Sequence, residues 1–230
     1  MTEAEWLHCT DPQKMLGFLR DKASDRKLRL FACACCRRVW HLLYDERSRK
    51  AVEVGEKFSD GLISNEEAID VLQRLHTRLA ELEGDFRLQA EVALDCCRTG
   101  PFSAALETAW RTERLQVVTA CFPDDWFSEK STATRVETQE EVKGIQTQLL
   151  HCIFGPLRFR PVTLNPAWQT ASVLSLAQSI YDQRQFENMS ILADALEDAG
   201  CDNGEVLTHC RQLGEHVKGC WCIDRILGKK

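Results

Sequence analysis

An all-α fold, a bundle-like array of many helices with a proline-containing crossing loop, follows from three features of the sequence. Apolar residues recur at spacings of three and four almost throughout. Strict alternation over a strand's length is hard to find. Capping signals and Gly or Pro stops bound the periodic segments.

Residues 26–43 show the helical period best. At 100° per residue, Phe31, Leu42, Cys35, Leu28, Val39, Ala32, Leu43 and Cys36 fall within an arc of about 140°. Arg26, Arg29, Arg37, Arg38, Lys27 and His41 fall outside it. Ser64 and Glu67 form a capping box, after which Leu72, Leu75, Leu79, Leu82 and Phe86 repeat at three and four. A long helix should begin near residue 65 and run to Cys97 or bend at Gly84, with Gly100-Pro101 as its stop. A further helix is expected over Ser103–Val118. The polar stretch Pro123–Thr138 reads as an exposed loop, and helical periodicity resumes over 139–152.

Pro156, Pro161 and Pro166 fall within eleven residues, so 153–167 cannot be regular helix and reads as the crossing between two helical parts. The expected organisation is an N-terminal part (1–152), the crossing loop (153–167) and a C-terminal part (168–230) packed with the first as one unit. Within the last part, Trp168–Arg184 and Phe186–Ala199 read as helices, the second closed by Gly200. Asp202 with Glu205 marks the start of a short helix reaching Cys210, and Val217–Leu227 can form a last one.

The strings MTEAEWLHCTDPQKMLGFL (1–19), RKLRLFACACCRRVWHLLYDERSRKAVEV (26–54), and ILADALEDAGC with THCR and HVKGCW (191–221) resemble an uncharacterised bacterial family of hypothetical proteins. No activity comes with that resemblance, so it implies no catalytic residues. It implies that both ends of the chain belong to one architectural unit.

Composition narrows the function classes. With 28% charged and 44% hydrophobic residues, 12 Gly and 6 Pro, the chain is neither collagenous, low-complexity nor mainly disordered. Lys and Arg total 29 against 35 Asp and Glu, which argues against a dedicated nucleic-acid protein. The first residues are acidic and lack a secretion signal, and no apolar run approaches a membrane span, so a cytoplasmic protein with no membrane partner is expected. Locally, residues 20–50 carry ten basic and four acidic residues and residues 51–100 five and eleven. The basic helix therefore reads as lying beside the acidic segment after it, with nucleic-acid binding through 26–43 as the alternative.

Twelve cysteines stand out. In such a chain the thiols should stay reduced, with no cofactor bound, and most should pack as small hydrophobes. The metal alternative is the C-terminal set Cys201, His209, Cys210, His216 and Cys220, with Cys222 beside it, because zinc favours four thiolate and imidazole ligands. Its spacing matches no known knuckle. In CACC, Cys35 and Cys36 fall in the buried arc, whereas Cys33 falls on the outer face between Arg29 and Arg37. Nearby guanidinium groups favour thiolate, which makes Cys33 the candidate reactive thiol. The neighbours Cys96 and Cys97 read as a helix end with one cysteine inward. His8-Cys9, His151-Cys152 and His209-Cys210 also read as helix ends, since neighbours on a helix diverge by about 100° and cannot form a dyad.

There is no Walker loop, Rossmann fingerprint, HExxH or GxSxG, which points away from an enzyme. Carboxylate pairs such as Glu66-Glu67 and Asp124-Asp125 lie where caps and loops put them. Trp110, Phe122, Trp126, Phe127, Phe154, Phe159 and Trp168 bracket the irregular stretches, with Arg158 and Arg160 among them. The leading expectation is a non-enzymatic protein that binds an unknown protein partner through Phe154, Arg158, Phe159 and Arg160 of the crossing loop.

Overall fold

The computed structural model describes residues 1–79, 82–98, 100–121, 128–212 and 214–229. Among these residues there are twelve α-helices and no strands, so the fold is all-α. Two compact units emerge, Glu3–Thr147 and Gln148–Lys230, each with its own core. The division falls inside one helix, ahead of the proline segment where the sequence places it.

The first unit opens with α1 (Glu3–His8) and α2 (Pro12–Leu19), the latter capped by Asp11, whose carboxylate accepts the Gln13 and Lys14 N–H groups. Its centre is α3 (Asp25–Arg38), started by Ser24 and followed by a single 3₁₀ turn at Trp40–Leu42. α4 (Glu46–Ser59), α5 (Asn65–Leu79), α6 (Gly84–Asp95) and α7 (Pro101–Cys121) follow. Leu28, Phe31, Val39 and Leu43 are buried as their arc requires.

The outer face of α3 is a different matter. Because α4, α6 and α7 all pack on α3, most of its circumference is enclosed, and even Lys27 and Arg29 are buried. Arg29 donates to the carbonyl oxygens of Cys96 (3.2 Å) and Arg98 (2.8 Å) and stacks on Phe58. Arg26 pairs with Asp60 at 3.0 Å, and Arg37 forks onto Glu56 at 3.1 and 3.0 Å. Two arginines of the basic helix thus pair with the acidic segment that follows it.

The Ser64 and Glu67 capping box forms, with Ser64 N–H on the Glu67 carboxylate (2.8 Å) and Glu67 N–H on the Ser64 hydroxyl (3.2 Å). The helix it starts is interrupted rather than bent, and α6 begins afresh at Gly84, whose φ is +54°. α7 starts two residues earlier than Ser103, at Pro101, because proline suits the first turn.

The expected exposed loop over 123–138 needs correction, since α8 (Glu129–Phe154) already covers 129–138. Ser128 is its starting signal, accepting the Ser131 N–H at 3.1 Å. Phe122, Trp126, Phe127 and the Asp124-Asp125 pair lie outside the described residues.

In the second unit, turns and irregular chain follow α8, with one 3₁₀ turn at Pro166–Trp168. α9 (Ala171–Gln183) is capped by Thr170, and α10 (Met189–Asp198) ends before Gly200, whose φ is +84°. α11 (Gly204–Arg211) is capped by Asn203 rather than Asp202. α12 (Trp221–Leu227) starts later than Val217, because Gly219 adopts φ +89° and Cys220 turns the chain into the helix. Trp168, Val173, Ile180, Tyr181, Leu192, Val206 and Trp221 build this unit's core.

Candidate metal centre

Four buried side chains of the second unit converge: Cys152, His209, His216 and Cys220, whose nearest donor atoms all lie within 4.8 Å of one another. Three separate pieces of chain deliver them. Cys152 sits in the last turn of α8, where the helix stops because Gly155 enters φ +50° while donating its N–H to the His151 oxygen at 2.9 Å. His209 lies in the last turn of α11. His216 and Cys220 lie in the connection to α12, which Cys220 N–H closes onto the Val217 oxygen at 2.9 Å.

Three of the spacings lie close to the edges of a metal-centred tetrahedron. His209 Nε2 is 3.1 Å from Cys220 Sγ, and His216 Nδ1 is 3.8 Å from Cys152 Sγ and 3.9 Å from Cys220 Sγ. Zn–S bonds of about 2.3 Å and Zn–N bonds of about 2.0 Å imply tetrahedral edges of about 3.3–3.8 Å. The two imidazoles meet edge to face with centroids 4.8 Å apart, and the Trp221 indole covers His209 at 4.9 Å. His216 Nε2 is buried with no hydrogen-bond partner, so Nδ1 is the nitrogen aimed at the sulfurs.

Burial pushes the Cys220 thiol up, but the hydrogen bond from Cys152, the His209 charge and the hydrogen bonds of both imidazoles outweigh it and hold Cys220 well below the ordinary thiol range. That is the protonation state a metal ligand needs. All four ligand residues are buried, so the cluster has the closed character of a structural site.

Three of the five residues in the sequence-derived metal set converge. His209, His216 and Cys220 come together, whereas Cys201 and Cys210 do not join them. Cys210 instead packs against Cys222 with 3.4 Å between sulfurs. The fourth donor, Cys152, is a residue that reads from sequence only as a helix end. His8, His151 and His209 do occupy the last turns of their helices. What helix-end position could not reveal is that the ends of α8 and α11 face one point.

The other candidates need correction. Cys33 is not on an outer face: it is 1% exposed, near the Val52 oxygen, because α4 covers the side of α3 that lies between Arg29 and Arg37. It is therefore not the solvent-facing thiol that the helical spacing places between Arg29 and Arg37. Cys96 and Cys97 both point inward.

The loop residues do not form one exposed patch. Phe154 is buried within the last turn of α8, Phe159 is half-buried, and Arg160 forks onto Glu205 at 2.7 Å for each bond. Only Arg158 and Arg160 are exposed.

No protein-family model, curated protein or solved structure matches this chain. The chemistry of the site therefore follows from its own geometry.

Proposed function

We propose that the second unit is a zinc-binding helical module, with one Zn²⁺ held by Cys152, His209, His216 and Cys220 as a structural clamp. The observation that carries this reading is the convergence of two thiols and two imidazoles, drawn from three separated segments, into one buried cluster whose donor atoms all lie within 4.8 Å of one another. Two thiolates and two neutral imidazoles cancel the charge of Zn²⁺, so the complex can be buried without an unpaired charge. Four protein ligands leave no open position for substrate, and the role is to tie the end of α8 to α11 and the start of α12.

Metal analysis of protein purified without a histidine tag tests this. About one zinc per chain is expected, falling sharply in Cys152→Ser and in Cys220→Ser but retained in Cys201→Ser. Zinc content that is near zero, or that is indifferent to Cys152 and Cys220, overturns the reading.

A further inference from the structure

We infer that Cys36 and Cys96 of the first unit are an oxidisable pair that closes into a reversible disulfide, cross-linking α3 to the end of α6. Their sulfurs are 3.2 Å apart, although the residues are separated by 60 positions. A third thiol, Cys33, lies at the same point, since a β-carbon built on Gly55 would meet both Cys33 Sγ and Cys96 Cβ, so three sulfurs of the first unit gather where α3, α4 and α6 meet. This site shares no residue with the proposed zinc centre, and neither depends on the other.

Charge selects among the fates open to these thiols. All three are buried, the Arg37 guanidinium is already forked onto Glu56, and the Arg29 guanidinium is spent on the Cys96 and Arg98 carbonyl oxygens. Thiolates bound to a monovalent ion would leave net negative charge in this core, which low-dielectric burial penalises. A disulfide leaves none. Space selects the oxidant. A β-carbon at Gly55 would come within 3.1 Å of both Cys33 Sγ and Cys96 Cβ, so α4 lies hard against the cluster and no bulky thiol adduct fits. A peroxide-sized oxidant is the class that suits.

The neighbouring Cys33 thiol favours thiolate at Cys96, whereas the Cys36 hydrogen bond and burial oppose it and prevail. Oxidation is accordingly slow and proceeds through the minor thiolate. Cys96 thiolate attacks one peroxide oxygen, the O–O bond breaks, and hydroxide leaves, giving a sulfenic acid. Cys36 sulfur, having given up its proton, then displaces the sulfenic hydroxyl, forming the S–S bond and releasing water. In total two thiols and one hydrogen peroxide give one disulfide and two waters, and the two electrons pass from sulfur to oxygen.

Titration of the native chain with hydrogen peroxide, followed by alkylation under denaturing conditions and peptide mapping, tests the pair. Cys9 is the internal control, because it is the one cysteine that is not buried. The expected result is a Cys36–Cys96 cross-linked peptide that is lost on adding reductant. It should be absent in Cys36→Ser and unchanged in Cys97→Ser, whose parent thiol instead donates to the Ala51 oxygen at 3.1 Å. The oxidised wild-type chain should melt higher than the reduced one by on the order of 10 °C, a readout independent of any variant's folding. The inference is overturned if Cys36 and Cys96 remain alkylatable at peroxide concentrations that consume Cys9, or if Cys96 pairs with a different cysteine.

Discussion

Gly155 and Trp221 are packed so closely that a β-carbon on the glycine would stand 2.5 Å from Cδ1 of the indole. The contact joins the stop of α8, just after Cys152, to the first residue of α12, just after Cys220. Gly155 also needs its φ of +50°, which side chains rarely adopt. Gly155→Ala is therefore expected to cost about 2–4 kcal/mol in denaturant unfolding, from overpacking plus backbone strain. It should also weaken metal retention, since it displaces two ligand segments. A variant as stable as the parent would contradict the packing of Trp221 on the helix end.

The face assignment of α3 rests on residues such as Val39, which is fully buried. Val39→Asp places an unpaired charge there and is expected to cost about 3–5 kcal/mol. An unchanged melting temperature would refute the assignment.

In the first unit, Asp95 is buried and bonded by Arg98 (3.0 Å) and Arg111 (2.5 Å). Burial pushes its carboxyl up and the two guanidinium groups pull it down, with burial prevailing. A carboxyl raised above its unfolded value binds more protons in the native state, so its contribution to stability declines as pH rises through that window. Arg111→Met removes one compensating charge and pushes the carboxyl further up. Its cost should be largest at neutral pH, about 3–5 kcal/mol, and should shrink as the pH falls below the ordinary carboxylate range, where Asp95 is protonated with or without Arg111. A cost that does not vary with pH would show that Asp95 is not the group responsible.

Much of the fold was legible because helix period and caps are local. The Ser64 and Glu67 box, the Leu28, Phe31, Val39 and Leu43 arc and the Gly200 stop were all readable from neighbouring residues. The pairing of the basic helix with the acidic segment was legible too, from the opposite charge of residues 51–100, but the covering of Cys33 by α4 was not, because helical period places Cys33 among polar neighbours without showing what packs on them. The polar start of α8 was missed for a similar reason: polar residues mark a solvated helix as well as a loop. At the metal centre, His209, His216 and Cys220 could be gathered by proximity in sequence. Cys152 stands 57 residues before His209, and only the packing of the end of α8 against the second unit's core brings it in.

The crossing loop offers a contrast. Arg160 is half exposed and its fork onto Glu205 faces solvent. Arg158→Ala combined with Arg160→Ala is expected to lower stability by less than about 1 kcal/mol, as exposed pairs do. A larger loss, measured by thermal melting, would make the loop a structural strap.

The most direct test of the zinc clamp is the visible absorption spectrum of the chain with cobalt(II) in place of zinc. Two thiolates and two imidazoles around cobalt(II) should give intense tetrahedral d–d bands and a thiolate-to-cobalt charge-transfer band, which weakens by about half in Cys152→Ser as one of the two thiolates is lost. Weak octahedral bands, or a spectrum that Cys152→Ser leaves unchanged, would contradict a centre built from Cys152, His209, His216 and Cys220.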